Sequence, residues 1–482
     1  MAPTIVHLTA ELAPYARTGG LAEAVAGLAA TQAAAGEKVV VFLPMYRSVR
    51  EHAPDLAPLG RTYQVHLGPT IEEVRYFREV KPPPGPKVVF IDHPHFFNRS
   101  GLYGDSAGDY GDNAERYAFF CLAVLEAIPR LIQGEVIIHA HDWHTAPVFA
   151  YARSYAKFRQ KFVRTPMVMS VHNGGYQGHF PESAVSRVGI PRELYTVQTG
   201  EWYGRLNFLK LGLTHCDCAV TVSPTHAREL RTDAGGFGLQ DVYRWMGDRF
   251  NGITNGIDQQ VWNPTSDDQI TANYSRDHLD NKARCKAALQ RTFGLPQRKR
   301  VPVFGMAARL VTQKGFEIIL KSHRIQTLDA QFIFIGSGEE RFERVLAKLA
   351  ERRPRNVAVQ LTFTDVIEHR LIAGADILMM PSQYEPCGLT QMRAQRYGTL
   401  PLARRVGGLA DTISDDVTGF LFDGFHAAAL DWAIDRAIQR HGDQPGWTRR
   451  MRAAMARDFD WKRSAEQYAG LYARATSLAS AR

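Results

Sequence analysis

Short apolar runs rich in β-branched residues alternate with longer helical patterns along the whole chain. Runs of this length between helical stretches are typical of parallel strands, which are buried on both faces. In the first half, the pattern predicts strands over residues 4–9, 38–43, 88–92, 136–140, 167–171 and 219–222. Strands that alternate with helices indicate βα units, so the predicted fold class is α/β with doubly wound parallel sheets.

A second series of strands follows, over residues 301–306, 331–335, 357–361, 377–380 and 400–403. Between the two series lies a loop-rich passage that contains NGITNGID (251–258) and NPTSDD (263–268). Its density of Gly and Asn is typical of a connector and predicts a hinge near residue 250. Ligands of open α/β sheets bind outside the carboxyl ends of the strands, so two such domains predict one site in the cleft between them.

Length and composition agree with a two-domain globular protein. The 482 residues exceed what one hydrophobic core usually organises, and 45 % are hydrophobic and 22 % charged. The sequence opens without a secretory signal, and no apolar run approaches the ~20 residues of a membrane span. The cysteines are odd in number and lack metal-type spacing: Cys121, Cys216, Cys218, Cys285 and Cys387. These features predict a cytoplasmic protein with reduced thiols and no membrane partner.

The formal net charge of +9 raises the question of a polyanionic partner. The basic runs at 298–300 and 352–355 are short and lack interleaved aromatic residues, which favours solvated faces over a nucleic-acid surface. A positive field would still raise the local concentration of an anionic substrate. We therefore expect no nucleic-acid partner.

Two glycine-containing turns are candidate phosphate sites. In RTGGL, Gly19 and Gly20 open a helix whose first N–H groups and positive dipole end could face a phosphate. In AARLVTQKG, Arg309 follows a strand and Lys314 precedes a helix, and two cations at a strand end suit a diphosphate. Taken alone, each segment is also compatible with a tight turn or with solvated cations.

The stretch PSQYEPCGLTQMRAQRYG (381–398) is the most informative one. Glu385 precedes a proline and is therefore biased toward extended backbone. Gly388, Leu389 and Thr390 then begin a helix and would offer free N–H groups to phosphate oxygens. A carboxylate supplies acceptors for sugar hydroxyls beside donors for a phosphate, which a capped helix alone would not need.

Two clusters in the first half, HAHDWH (139–144) and SVHNGGYQG (170–178), hold further polar residues. His139 and His141 would share a face of an unbroken strand, but no nearby Cys or Glu completes a metal site, so a metal is not expected. Asp142 ends one predicted strand and is a candidate substrate contact. His172 ends the next strand and could contact a sugar.

Taken together, these motifs resemble the bacterial glycogen synthase and plant starch synthase family over nearly the whole chain. The matching segments, in the family's order, are RTGGL, HAHDWH, VHNGGYQG, FLKLGL, TVSPTHAREL, NGITNGID, RLVTQKG, EPCGLTQ and YGTLPLARRVGGLADT. Each piece is short, but the ordered set is specific.

The resemblance implies a GT-B fold, with two Rossmann-like domains facing an interdomain cleft. We expect an acceptor-side domain over residues 1–248, a donor-side domain over 249–456 and a C-terminal helix over 457–482 that returns to the first domain. The implied reaction is a retaining transfer of glucose from ADP-glucose to the non-reducing end of an α-1,4-glucan such as glycogen. No cofactor and no divalent metal are expected.

The resemblance also assigns roles to residues. Glu385 would contact the glucose of the nucleotide sugar, Arg309 and Lys314 its diphosphate, and His172 the glucose near the reacting carbon. Asp142 would lie on the acceptor side. Further contacts with the nucleotide sugar are expected from Arg17, Gly19, Gly20, Asn255, Gly388, Leu389 and Thr390.

The chain departs from the family at four places: Arg17 replaces a lysine, Glu23 stands where aspartate is common, Gly174–Gly175 replace a bulkier pair, and Arg393 is unusual in its helix. Two alternatives therefore remain open. One is another GT-B enzyme that uses UDP-glucose or a small acceptor such as a sugar phosphate. The other is a catalytically weakened glucan-binding protein, against which the retention of Arg309, Lys314 and Glu385 argues.

Overall fold

The computed structural model describes residues 2–482, which form two compact units. The first unit comprises residues 2–256 together with Trp461–Arg482, and the second comprises Ile257–Asp460. No helix among residues 2–482 is both long and apolar enough to cross a membrane.

The first unit is built on a ten-stranded sheet. Its strands and those of two small sheets are β1 (Thr4–Leu8), β2 (Val39–Pro44), β3 (Leu56–Pro58), β4 (Tyr63–Leu67), β5 (Thr70–Glu79), β6 (Lys87–Asp92), β7 (Gly104–Asp105), β8 (Gly108–Asp109), β9 (Val136–His141), β10 (Met167–Val171), β11 (His179–Pro181), β12 (Glu201–Trp202), β13 (Arg205–Asn207), β14 (Cys218–Thr221) and β15 (Phe250–Gly252). The order in the large sheet is β15-β14-β10-β9-β1-β2-β6-β5-β3, with β4 paired to β5.

Ten helices join these strands. They are α1 (Gly20–Ala34), α2 (Arg47–His52), α3 (Pro94–Phe97), α4 (Asn113–Leu131), α5 (Pro147–Ser154), α6 (Ala156–Phe162), α7 (Ala184–Arg187), α8 (Phe208–His215), α9 (Pro224–Leu230) and α10 (Gln240–Met246). The seven strands from β15 to β6 are parallel, and the order reverses between β1 and β9. That reversal leaves a crevice at the carboxyl ends of β1 and β9, where open α/β sheets bind ligands.

The second unit contains one six-stranded parallel sheet in the order β18-β17-β16-β19-β20-β21. Its elements are α11 (Asp280–Thr292), β16 (Val303–Ala307), α12 (Phe316–Leu320), α13 (His323–Thr327), β17 (Gln331–Ile335), α14 (Glu340–Arg352), β18 (Val357–Gln360), α15 (Asp365–Gly374), β19 (Ile377–Met380), α16 (Thr390–Arg396), β20 (Leu400–Arg404), α17 (Gly407–Thr412), β21 (Phe420–Phe422), α18 (Ala427–Gly442) and α19 (Gln444–Met455). Its order reverses between β16 and β19, so the ligand crevice is expected there. The predicted α/β class with two doubly wound parallel sheets is confirmed.

The chain then returns to the first unit as α20 (Trp461–Ser480). Trp461, Tyr468 and Tyr472 pack with residues of β1, α1 and β10 in one buried cluster. The indole of Trp461 lies where a side chain at Gly27 would be, so glycine at position 27 of α1 is required by this close approach.

The structure differs from the sequence-based expectations in several respects. The short edge strands β15 and β21 and the two small antiparallel sheets were not predicted. The antiparallel edge formed by β3, β4 and β5 was not predicted, because residues in β5 alternate between exposed and buried and lack a continuous apolar run. The boundary expected after residue 248 also differs from the observed division after Gly256. The reason is that β15 pairs with β14 and therefore belongs to the first sheet.

Candidate active site

Asp142 and His172 lie next to each other at the carboxyl ends of β9 and β10. Asp142 has a positive φ of 59°, and its Oδ1 accepts hydrogen bonds from the backbone N–H groups of His172 (2.7 Å) and Asn173 (3.4 Å). A residue other than glycine in this backbone region is uncommon and is often associated with a functional site. The Asp142 carboxylate therefore fixes the start of the loop that carries His172.

Burial shifts the titration of both side chains. It raises the pKa of Asp142 to about 7, against the hydrogen bonds from His172 and Asn173 that lower it. Burial lowers the pKa of His172 to about 3. His172 is therefore a neutral ring at pH 7, able to form hydrogen bonds with a sugar but not to act as a cation.

Behind His172 lies a cluster of buried histidines, His7, His139 and His141, whose nitrogen atoms come within 4.8 Å of one another. Among the described residues, every ring nitrogen of the three has a hydrogen-bond partner. A metal ion bound here would have to replace these bonds. The absence of a metal site stays a prediction, and the observed bonds assign the three rings to a hydrogen-bond network.

The RTGGL turn differs from its expected role as a phosphate loop. Gly19 precedes α1 as its N-cap residue, but its N–H donates to Glu11 Oε2 at 3.1 Å. Glu11 also accepts from Thr18 N–H (2.7 Å), Thr18 Oγ1 (2.7 Å) and Tyr103 OH (2.6 Å). Of the two glycines, only Gly20 has an N–H without an acceptor among residues 2–482. Sequence reasoning missed Glu11, because its role depends on contacts with the turn and with a tyrosine 92 positions away.

Arg17 contacts one of the other positions at which the chain departs from the family. Its Nη1 lies 3.5 Å from Glu23 Oε1, and its side chain is 40 % exposed. Two of the positions that depart from the family, Arg17 and Glu23, therefore contact each other at the first turn of α1. A long, exposed pair of this kind contributes little to stability.

Asn255 lies in the first unit, although the expected domain division placed it in the second. It is 7 % exposed, and no described residue is hydrogen-bonded to its Oδ1. A buried acceptor without a partner is costly. This supports a ligand contact for Asn255. We refer to Arg17, Gly19, Gly20, Asp142, His172 and Asn255 as the first-unit site.

In the second unit, Arg309 and Lys314 follow β16 at the reversal of the sheet order. Arg309 is exposed, and no described residue accepts a hydrogen bond from its guanidinium. Gly315, at φ +83°, lies so close to Pro381 that a Cβ would overlap the Pro381 carbonyl oxygen. Gly315 thus allows the loop that carries Arg309 and Lys314 to pack directly against the loop that carries Glu385.

Lys314 and Glu385, expected to contact different parts of the substrate, form an ion pair. Lys314 Nζ lies 2.6 Å from Glu385 Oε2, and Ser382 Oγ donates to the same oxygen at 3.0 Å. Among the described residues, Glu385 Oε1 has no hydrogen-bond partner. The pair therefore orients the carboxylate and leaves one of its oxygens for a ligand.

The EPCGLT segment holds the predicted N–H groups. Gly388 has a φ of +70°, Leu389 is the N-cap residue, and α16 begins at Thr390. No residue in the described part of the chain accepts a hydrogen bond from the N–H groups of these three residues. The second-unit site therefore comprises Arg309, Lys314, Glu385, Gly388, Leu389 and Thr390.

The way in which VGGLADT supports this site could not be predicted from the sequence. A Cβ at Gly407 would overlap the carbonyl oxygen of Glu385, and the Gly408 N–H donates to that oxygen at 3.1 Å. The paired glycines therefore allow α17 to pack directly on the backbone of Glu385.

Comparison with known proteins agrees with these arrangements. Residues 4–245 match the family described as starch synthase catalytic domain, and residues 291–454 match glycosyl transferases group 1. The chain is 40 % identical to a glycogen synthase of Anaeromyxobacter sp. (strain Fw109-5), over 97 % of this chain and 98 % of that protein. It is 38 % identical to glycogen synthase 2 of Geobacter sulfurreducens, with the same coverage. The chain belongs to the glycogen synthase family.

A solved structure of the family supports the fold. The catalytic domain of starch synthase IV from Arabidopsis thaliana, bound to ADP and acarbose, matches with a TM-score of 0.89 and 31 % identity. The match covers 99 % of this chain and 100 % of that one. The fold is therefore GT-B and the chain is a glycosyltransferase, as the motifs predicted. The cytoplasmic location stays a prediction.

The remaining departures from the family have structural partners in this chain. Arg393 pairs with Glu368 at 3.1 Å, both side chains are buried, and the guanidinium lies 4.2 Å from the ring centroid of Trp262. At Gly174, a Cβ would come within 2.6 Å of the Leu230 side chain. The space that a bulkier residue would need at Gly174 is thus already filled.

Proposed function

We propose that the chain transfers glucose from ADP-glucose to the non-reducing end of an α-1,4-glucan, with retention of configuration at the transferred carbon. The observation that carries this proposal is the Lys314–Glu385 pair, which lies at the reversal of the second sheet beside the unpartnered N–H groups of residues 388–390. A carboxylate oxygen for sugar hydroxyls thus stands next to donors for a phosphate.

The chemistry of a nucleotide sugar explains why both kinds of group are needed. When the bond between sugar and phosphate breaks, negative charge grows on the diphosphate and positive charge grows on the sugar ring. Arg309, Lys314 and the N–H groups would stabilise the departing diphosphate, and Glu385 Oε1 would hold the glucose through its hydroxyls. Cations and aligned N–H groups thereby supply the charge stabilisation that a metal supplies in other phosphate-leaving reactions.

The first-unit site would complete the reaction. We propose that Asp142 contacts the acceptor glucan and that His172 contacts the transferred glucose. Arg17, Gly20 and Asn255 would contact the nucleotide sugar, and Gly19 would shape the turn beside them. Gly19 has this supporting part because its N–H already donates to Glu11.

A same-face attack accounts for retention without a covalent intermediate. The acceptor hydroxyl oxygen forms the new bond to the anomeric carbon while the bond to the diphosphate breaks. The hydroxyl proton passes to the leaving diphosphate oxygen, so that atoms and charge balance.

Incubation of the purified protein with glycogen and radiolabelled ADP-glucose or UDP-glucose tests the proposal. We expect label in glycogen from ADP-glucose at the higher kcat/KM, with release of that label by an enzyme specific for α-1,4 bonds. Comparable or better use of UDP-glucose would contradict the proposed nucleotide sugar. Retention of the protein on glycogen without any transfer would favour a glucan-binding protein instead.

A further inference from the structure

A continuous series of buried side chains connects α20 with His172. Tyr472 OH lies 2.9 Å from Gln32 Nε2, and Gln32 Oε1 lies 2.8 Å from His7 Nε2. His7 Nδ1 is 2.9 Å from His141 Nε2, and His141 Nδ1 is 3.0 Å from His172 Nε2. All of these contacts lie within the first unit. We call Gln32, His7, His141 and His172 the histidine relay.

The relay has a direction that Gln32 sets. An amide oxygen can only accept, so His7 carries its proton on Nε2 and presents Nδ1 as an acceptor. His141 must then donate from Nε2 and accept at Nδ1. His172 must in turn donate from Nε2, which leaves its Nδ1 without a proton.

The opposite end of Gln32 agrees with this direction. Gln32 Nε2 donates to Tyr472 OH, and the Tyr472 hydroxyl proton is then free to point at His139 Nδ1, 2.9 Å away. His139 donates from Nε2 to Ser170 Oγ at 2.7 Å. Each described contact thus pairs one donor with one acceptor.

The relay requires neutral rings, because a doubly protonated ring would offer no acceptor to its neighbour. Burial lowers the pKa of His7 to about 4 and that of His172 to about 3, and it holds the pKa of His141 well below its usual range. All three rings therefore remain single-proton tautomers at pH 7.

We propose that Gln32 acts as a positioning residue that holds His172 in the Nε2–H tautomer, so that His172 Nδ1 accepts a hydrogen bond from a hydroxyl group of the bound sugar. Among residues 2–482, none forms a hydrogen bond with His172 Nδ1. This inference deepens the proposed function and rests on it, since it presupposes that His172 contacts the sugar. A hydroxyl can donate to Nδ1, whereas a phosphate oxygen without a proton cannot.

The tautomer itself is measurable without substrate. Long-range ¹H–¹⁵N correlation spectra of protein labelled with ¹⁵N-histidine distinguish a protonated ring nitrogen from a bare one. The His172 signals are assigned by their loss in His172→Ala. We expect a protonated Nε2 and a bare Nδ1; a protonated Nδ1 would overturn the proposal.

Two substitutions at Gln32 distinguish its effect on the direction of the hydrogen bonds from its effect on side-chain packing. Gln32→Glu places a carboxylate against His7 Nε2 and favours a doubly protonated His7, which would donate from Nδ1 to His141 Nε2. The His172 tautomer should then reverse to Nδ1–H, and kcat should fall at least as far as in Gln32→Met. Gln32→Met keeps a similar volume but removes both the acceptor for His7 Nε2 and the donor to Tyr472 OH, so that residue 32 no longer selects the tautomer. We expect a mixture of tautomers and a three- to tenfold fall in kcat with little change in KM for glycogen.

The matched control is Gln290→Met. Gln290 is also buried, and it donates to Gln331 Oε1 at 2.7 Å in the second unit. Gln290→Met should also remove a buried hydrogen bond, but it should leave both the His172 tautomer and kcat unchanged.

Each result of this set decides one point. An unmixed tautomer in Gln32→Met would show that Gln32 does not set the direction and would overturn the proposal. A mixture of His172 tautomers together with an unchanged kcat would overturn the proposal that His172 Nδ1 accepts a hydrogen bond from a sugar hydroxyl. A parent protein that transfers no glucose would refute the proposed function, and the spectra would then still show whether Gln32 sets the tautomer.

Discussion

The first-unit site and the second-unit site are built from different interactions. In the first, the central side chain, His172, is neutral and is held by a series of directed hydrogen bonds. In the second, Lys314 and Glu385 are paired, Arg309 is exposed, and the N–H groups of residues 388–390 have no acceptor among the described residues. The comparison shows that one chain can build two polar sites in different ways, one from directed hydrogen bonds between neutral groups and the other from charged groups. Hydrogen-bond direction suits the recognition of hydroxyl groups, and charge suits a departing phosphate.

The largest effect is expected from removing the carboxylate of the second-unit site. Glu385→Ala should lower kcat at least about a hundredfold, which corresponds to roughly 2.7 kcal/mol of transition-state stabilisation. It would remove the proposed sugar contact, and it leaves Lys314 without its observed partner. Steady-state kinetics with ADP-glucose and glycogen provide the measurement. Asp423→Ala, which breaks an exposed pair with Arg405 in the same unit, should be nearly silent. A folded Glu385→Ala protein with near-normal kcat would refute the role of Glu385.

The next effect concerns Arg17, the one cation of the first-unit site. Arg17→Ala should reduce kcat/KM for ADP-glucose more than tenfold, whereas Arg17→Lys should stay within about tenfold because the charge is kept. Glu23→Ala serves as the control, since it removes the observed partner of Arg17 but not its charge. If Glu23→Ala and Arg17→Ala lose activity equally, Arg17 acts only through that pair. An active Arg17→Ala variant removes Arg17 from the site.

The third prediction concerns acid stability. Unfolded histidines bind protons below about pH 6.5, but burial keeps the pKa of His7 at about 4 and that of His172 at about 3. The unfolded state therefore binds more protons at these two rings, and burial also holds the pKa of His139 and that of His141 well below the usual range. The raised pKa of Asp142 acts in the opposite direction but offsets only one of these protons, so the first unit should lose stability as the pH falls from about 6.5 toward 4. Hydrogen exchange of β1 and β9, compared with β16 and β19, measures this difference.

An exposed histidine of the first unit supplies the control for that experiment. His66→Gln should leave the pH dependence unchanged, because His66 is exposed in the folded state. If acidification lowers hydrogen-exchange protection equally in both units, the proposed difference between the neutral first-unit site and the charged second-unit site is contradicted.

The smallest effect is expected for Asp142→Asn. Asparagine still offers Oδ1 to the His172 N–H, so kcat/KM should stay within about threefold, whereas Asp142→Ala should lose more. Burial raises the pKa of Asp142 to about 7, so between pH 4 and 7 the folded parent binds more protons and loses stability as the pH rises. The Asn variant should lack this loss in unfolding measurements across that range. A large fall in activity would show that the negative charge itself is used.

The sequence was sufficient to predict the longer parallel strands, because strands buried on both faces leave continuous apolar runs, whereas the three-residue parallel strands β15 and β21 were missed. Strands β10, β17 and β19 were predicted with the bounds that the structure shows. The antiparallel edge was missed, since β5 carries charged residues on its exposed face. Periodicity thus identifies a strand through its burial, and a half-exposed edge strand leaves a weaker signal.

The motifs predicted which loops surround the two sites but not which atoms are already engaged. That Glu11 occupies the Gly19 N–H, that Lys314 pairs with Glu385, and that Gln32 is joined to His172 all depend on contacts between distant positions. Such pairings follow from the register of the sheet, because β1, β9 and β10 set His7, His141 and His172 side by side. The register between these strands cannot be predicted from a single sequence, because it depends on how distant segments pair.

The return of α20 to the first unit has a consequence for how the protein is made. The ribosome completes residues 2–256 first, then must synthesise residues 257–460 before α20 emerges. At about 5–20 residues per second, this interval lasts roughly 10–40 s. Throughout it, the apolar groove that receives Trp461 and Tyr472 lies open and Gln32 lacks its tyrosine. All residues of the second unit are thus made before the first unit receives α20.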